Sequence, residues 1–258
     1  MMRIVGRAYL GLLLVFLLGP ALLVAVDSVN SATSFPSGFE HVTVHWYGAL
    51  ADHSEFLTAC GVSVEVALAA AALATAAGLL AAYGLRRLGP GQRGVATLIL
   101  SGPLLVPEIV VGLAVLQLGT LSSVQLGTAA LVGTHAVFLL PLTLRFAMSA
   151  LAGLDARVEE AARDLGASWL QTLVHVTLPL LRPSLSAAFV LSAVLSFVNL
   201  PLSMFLTTAR TATLPVVTFA YMESRIDPMA AAVATLIMLA AALTALLVDR
   251  VLKSRLLG

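Results

Sequence analysis

The chain predicts an all-α membrane protein of six transmembrane helices, and three observations carry that prediction. It has 258 residues, of which 60% are hydrophobic and only 10% charged, whereas soluble domains average roughly 45–50% apolar residues. Uncharged runs long enough to cross a bilayer recur along it, a spanning helix needing about 20 mainly apolar residues. The cations are grouped: all Lys and Arg except Arg210 and Arg225 fall at Arg3 and Arg7, at Arg86, Arg87 and Arg93, from Arg145 to Arg182, or from Arg250 to Arg255. On a six-span path these places share one side, which the positive-inside rule makes cytoplasmic, with both termini. The other side carries Asp27, Glu40, Asp52, Glu55, Glu223 and Asp227.

The first span is placed at 8–28. Arg3 and Arg7 precede it as in a signal peptide, but the apolar run exceeds the roughly 7–15 residues of such a segment and no A-x-A site follows, so an uncleaved helix is expected. Pro36 and Gly38 make the start of the following segment irregular. His45-Trp46-Tyr47-Gly48-Ala49-Leu50 reads as a short interfacial helix, either a docking surface or a membrane anchor, since Trp and Tyr favour the headgroup region. Span two, 60–85, is rich in small residues (Ala67, Ala69 to Ala72, Ala74, Ala76, Ala77, Gly78), which let helices approach closely in lipid. Span six, 228–250, has Ala230 to Ala234 and Ala240 to Ala242 for the same purpose.

Spans three and four, 95–118 and 126–146, are separated by a loop at Gly119-Thr120-Leu121-Ser122-Ser123-Val124-Gln125, and span five is 183–208. Pro103 and Pro107, Pro141, and Pro201 each remove a backbone hydrogen bond from spans three, four and five, so kinks are expected there. The whole chain, 1–258, reads as one transmembrane domain. Its single cysteine, Cys60, excludes an intrachain disulfide and a cysteine metal cluster and is assigned to packing.

Residues 154–179 form the longest charged island. Leu154, Val158, Ala161, Ala162 and Leu165 recur at helical spacing as one apolar stripe, with Asp155, Arg157, Glu159, Arg163 and Asp164 around the rest. Gly166 stops that helix, as glycine does where positive φ is needed. Ser168 can cap a second short helix with Trp169, Leu170, Leu173 and Val174 on its apolar face, closed by Leu178-Pro179. On residues alone the pair either docks a soluble partner or lies on lipid.

The order Glu160-Ala161-Ala162, three residues, Gly166, nine residues, Val176, one residue, Leu178-Pro179 resembles the EAA loop of permeases of binding-protein-dependent ABC importers, with Val176 for the usual isoleucine. Leu105-Val106-Pro107-Glu108-Ile109-Val110, Leu214-Pro215 and the run Ser196-Phe197-Val198-Asn199-Leu200-Pro201-Leu202-Ser203-Met204-Phe205-Leu206 resemble the polyamine (spermidine/putrescine) subgroup, its second permease most closely. The resemblance covers essentially the whole chain and implies the type I importer permease fold, in which a cytoplasmic two-helix loop couples to a separate ATP-binding subunit. Carried over by position, the coupling residues are Glu159, Glu160, Ala161, Ala162, Asp164, Gly166, Ala167, Leu178 and Pro179. Many members of the subgroup have acidic residues where this chain has Val198 and Asn199, which removes an electrostatic argument for a cationic solute in span five.

Glu108, at the break after Pro107, is expected either to line the translocation path or to make a structural hydrogen bond, because ionisable groups at membrane depth face a cavity or a partner. Ser196, Asn199, Ser203, Met204 and Phe205 are further pathway candidates, with interhelical packing as the other reading. His135 reads as hydrogen-bonded packing or, in a carrier, as a proton-coupling group. Glu65 is near a helix end and can reach water.

No catalytic constellation or metal site is present: there is no G-x-S-x-G elbow and no H-E-x-x-H helix. A phosphate-binding loop needs lysine after a glycine-rich turn, and the sole lysine, Lys253, has no such turn before it. The chain is therefore expected to be no enzyme and to bind no cofactor, with ATP and Mg on a partner dimer of ATP-binding subunits. The other implied partners are a homologous second permease in a heterodimer, a periplasmic binding protein and the bilayer, with no nucleic acid. The expected setting is the bacterial inner membrane and the solute a small organic molecule, polyamine-like first. The competing class is an ATP-independent secondary carrier or channel, for which only Glu108 and His135 offer intramembrane ion coupling.

Overall fold

A computed structural model of the chain describes residues 2–32, 38–122, 126–225 and 227–256. Its regular structure there is helical: α1 (Met2–Asp27), α2 (His45–Asp52), α3 (Ser54–Leu85), α4 (Pro90–Ser101), α5 (Glu108–Leu121), α6 (Thr128–Ala152), α7 (Ala156–Asp164), α8 (Trp169–Thr172), α9 (Leu178–Phe197), α10 (Leu200–Leu206), α11 (Leu214–Ser224) and α12 (Met229–Leu256). The only strand-like feature among the described residues is an isolated antiparallel bridge between Asn30 and Val42. The described residues group into two compact units, 1–59 with 216–247 and 60–215 with 248–258.

The first unit contains α1, whose apolar side chains are exposed, as a lipid-facing helix requires. After it the chain turns around Asn30, whose Oδ1 accepts from the backbone N–H of Ala32 (3.2 Å) and of Glu40 (3.1 Å). Trp46 Nε1 donates to the Asn30 carbonyl (2.7 Å), and the Tyr47 and Ser28 hydroxyls are bonded at 2.8 Å. The α2 helix is thus where the sequence places it, but the polar tips of its aromatic residues are held inside the protein. The Pro36 turn and the end of the Gly119–Gln125 loop lie outside the described residues; α5 itself continues to Leu121.

The second unit is held by α3, α6 and α9. A core of Leu79, Ala82, Tyr83, Leu144, Ala147, Leu151, Leu181 and Leu185 joins their ends, and Ala70, Ala74 and Leu139 form a separate small cluster between α3 and α6. Small residues make this close packing possible, because association in lipid relies on van der Waals contact. At Gly78 a side chain has no room: an added Cβ would sit 2.8 Å from Leu144 N and 2.9 Å from the Thr143 carbonyl carbon. Thr143 Oγ1 donates to the Ala74 carbonyl across this contact (2.7 Å).

Among the described residues, four helices are long and apolar enough to span a bilayer, and a bent pair adds a fifth. The third predicted span is that pair: α4 and a 3-10 turn at Gly102–Leu105 meet α5 at 92°, because Pro103 and Pro107 bracket the break and neither has an N–H to carry the ladder across. The fifth span also departs from 183–208. Its helix runs unbroken from Trp169 to Phe197, stops at Val198-Asn199 and resumes as α10. Leu178-Pro179 does not close the preceding helix. A π-turn at Leu173–Thr177 lets Leu178 N–H reach back five residues to the Leu173 carbonyl, and Pro179, which needs no partner for its nitrogen, follows inside the first turn of α9. The sixth predicted span falls on α12, apolar through Met229–Thr244, and α11 is an element the sequence did not announce.

Candidate functional site

The charged island folds as two capped helices. Asp155 caps α7, its side chain accepting from the Arg157 N–H (3.0 Å), and Arg163 sits in the last turn, where the helix dipole favours a cation. Gly166 has φ of 88°. Its N–H bonds the Arg163 carbonyl (2.8 Å), and the Ala167 N–H bonds the Ala162 carbonyl (3.0 Å), the double closure of a Schellman turn. Ser168 then starts α8 with a reciprocal capping box: its N–H donates to Gln171 Oε1 (2.8 Å) and its Oγ accepts from the Gln171 N–H (3.4 Å). Both ends of the bend are chemically specified within a few residues.

The faces of these helices are reversed from the usual pattern. Leu165 is 90% exposed, and Val158, Leu170 and Val174 are exposed with it, beside the exposed Glu160, Ala161, Asp164 and Gly166. Ala162, Ala167, Leu178 and Pro179 are half-buried. The buried member is Glu159, only 4% exposed. The sequence places Glu159 among the outward charges; in the structure it turns inward. Its Oε1 accepts from Thr177 Oγ1 (2.6 Å) and from the Tyr83 hydroxyl (3.4 Å), and its Oε2 pairs with Arg86 Nη1 at 3.1 Å and, one helical turn on, with Arg163 Nη2 at 3.8 Å. Arg87 lies over the Tyr83 and Trp169 rings at 5.9 and 5.6 Å. Together with Arg86, Arg163 and Glu159 these groups surround a cavity of about 470 Å³. Tyr83, Arg86 and Thr177 carry no local pattern that marks them; their separation in sequence hides them.

A second cavity, of about 330 Å³, opens where the third and fifth spans break. Glu108, the first residue of α5, and Asn199, the N-cap of α10, meet there: Asn199 Nδ2 donates to Glu108 Oε2 (2.9 Å), while Asn199 Oδ1 accepts from the Leu202 N–H (2.9 Å). An aspartate at 199 could cap α10 as well but would set a second carboxyl against Glu108, so the amide serves both contacts. His135 lines the same cavity, with Nδ1 at 2.7 Å from Ser196 Oγ and Nε2 at 3.2 Å from Ser203 Oγ. The other walls are apolar and include Leu104, Phe138, Leu139, Leu195, Val198, Pro201 and Leu202. Of the pathway candidates, Glu108, Ser196 and Asn199 line this space. Ser203 is buried behind it, Met204 faces outward, and Phe205 packs over Gly112.

Residues 74–257 match the family described as the binding-protein-dependent transport system inner membrane component. The spermidine/putrescine transport system permease protein PotC of Escherichia coli (strain K12) is 30% identical over 236 residues, 92% of this chain and 89% of that protein. The putrescine transport system permease protein PotI of the same strain is 32% identical over 231 residues, 86% and 82% of the two chains. In fold, the chain resembles a chain of a bacterial ABC transporter involved in alginate import, with a TM-score of 0.70, 20% identity, and coverage of 98% of this chain and 95% of the other. A polytopic helical fold, a capped two-helix segment with its apolar side chains outward, and a sequence match through both place this chain in the family of binding-protein-dependent transport system inner membrane components, as a permease and not an ATPase.

Proposed function

We propose that this permease forms half of the translocation pathway of an ATP-driven importer for a small organic solute, polyamine-like in the first place, and is driven through residues 154–179. The observation that carries the proposal is the exposed apolar face of that segment. Val158, Leu165, Leu170 and Val174 stand free beside Glu160 and Asp164 on two helices whose starts and intervening bend are capped, which is the surface a cleft on a separate motor subunit would cover. The chain has no phosphate-binding loop of its own, so ATP and Mg belong to that subunit. Grouping of cations by the positive-inside rule puts the segment and both termini in the cytoplasm. A periplasmic binding protein delivers the solute, and a homologous second permease completes the path, most simply as a heterodimer.

Relatives named for spermidine and putrescine support the choice of solute. So does the cavity at the two broken spans, where Glu108 contributes an acidic group and no Lys or Arg among the described residues lines the wall. Helices broken at membrane depth leave backbone and side-chain polar groups to line a path.

The test is solute uptake and subunit association in the assembled importer. Replacing Glu160 by Lys or Gly166 by a bulky residue should abolish both; survival of both in either variant removes the coupling role. An ATP-independent carrier would instead keep transporting labelled putrescine when hydrolysis is blocked.

A further inference from the structure

Glu159 is the most deeply buried charged side chain among the described residues, and it faces away from the surface on which the motor is placed above. Its partners come from parts of the chain that nothing else in the local sequence ties together. Thr177 lies 18 residues on, Arg86 and Tyr83 lie 73 and 76 residues away. Tyr83 belongs to the end of α3 and Arg86 follows it directly; Thr177 closes the π-turn from which α9 rises. A single carboxyl on α7 therefore grips the foot of two spanning helices.

We propose that Glu159 is the joint through which the coupling segment moves α3 and α9 together, a positioning residue on the cytoplasmic end of both spans. The proposal rests on the coupling reading above and adds which residue carries the displacement onward. Its physical basis is direction. Apolar contacts resist separation but allow sliding, since burial energy has little directionality. Hydrogen bonds of 2.6 and 3.1 Å prefer a set distance and angle, so a rotation of α7 pulls on Thr177 and Arg86. Replacing such a buried pair by apolar residues of similar volume is often neutral or better for stability, which leaves register as what the charged version supplies. The Arg87–Tyr83–Trp169 stack is a second tie of the same kind, from the end of α3 to α8. The π-turn contributes too: its widened register sets the Thr177 hydroxyl against Glu159.

The experiment uses the complete importer, with its ATP-binding subunits and binding protein, reconstituted in vesicles. Three quantities are read for each variant: co-purification of the ATP-binding subunit, ATP hydrolysis, and labelled solute taken up per ATP hydrolysed. Glu159→Gln should keep the motor bound and hydrolysing while solute per ATP falls roughly tenfold, the factor that corresponds to one charge-assisted hydrogen bond. Tyr83→Phe combined with Thr177→Val, which keeps the packing and removes two donors, should lower the same ratio. Unchanged solute per ATP in an assembled Glu159→Gln importer overturns the proposal. So does a fall of uptake and hydrolysis in equal proportion, because a merely structural residue would do that. Should Glu159→Gln fail to assemble, the Tyr83→Phe/Thr177→Val ratio decides alone: lowered, it supports the joint; unchanged, it overturns it. Glu160→Lys separates this result from the underlying reading, since loss of motor binding there is independent of Glu159.

Discussion

Gly78→Ala is the most demanding test of the packing, because one methyl group is asked to enter a contact whose nearest atoms are the Thr143 hydroxyl and the backbone of α6. The new Cβ would lie 2.8 Å from Leu144 N and 2.9 Å from the Thr143 carbonyl carbon, whereas 3.4 Å is ordinary contact. Both atoms are backbone of α6, so α3 and α6 must part by roughly half an ångström. Overpacking of this kind costs about 1–3 kcal/mol. Parting the helices also weakens the Thr143–Ala74 hydrogen bond at 2.7 Å, and interhelical hydrogen bonds in membranes average about 0.6 kcal/mol. With a melting shift of about 2–4 °C per kcal/mol for chains of this size, a drop of roughly 3–14 °C follows for the purified importer in detergent. Gly61 on the same helix is the control: its Cβ would meet nothing within 4 Å, and glycine in a helix is about 0.5–1 kcal/mol worse than alanine, so Gly61→Ala should hold or raise the melting temperature. A Gly78→Ala protein that melts with or above Gly61→Ala would show that the helices are not in this contact.

Asn199→Asp keeps the α10 cap but removes the donor to Glu108, so thermal stability should fall by about 1–3 kcal/mol; adding Glu108→Gln restores a donor–acceptor pair and should recover most of it, and a double variant no more stable than Asn199→Asp defeats the pairing. His135→Phe strands the Ser196 hydroxyl, whose partner is His135 Nδ1, at a cost of about 1–3 kcal/mol. Ser196→Ala in the same protein should reduce that loss, measured as a non-additive term in a double-mutant cycle.

Much of the 154–179 segment was legible because its instructions are local. A glycine at positive φ and a serine before a helix each act on their own neighbours, and the bend appears where those residues stand; the Asp155 cap and the Gln171 half of the capping box are just as local but emerged only with the structure. The direction of Glu159 was not legible. A charge next to Glu160 reads as solvent-facing by composition, and only the end of α3, brought alongside by the α3–α6–α9 packing, supplies the Tyr83 and Arg86 that make its burial tolerable. The cavity divides in the same way. Pro103, Pro107 and Pro201 mark where spans weaken, while the 92° bend and the meeting of Glu108 with Asn199, 91 residues apart, depend on which helices lie next to one another.

The sequence by itself thus determined the membrane setting, most of the helices and the shape of the bend at Gly166. Each is set by an interaction a few residues long: apolar length against bilayer thickness, backbone torsion, and end caps. The tertiary structure alone decided which face of α7 is buried, that α8 runs on through Pro179 into α9, and which polar groups share a cavity. Those outcomes depend on close contact between distant helices, and a contact that relies on missing methyl groups, as at Gly78, is invisible until its partner is in place.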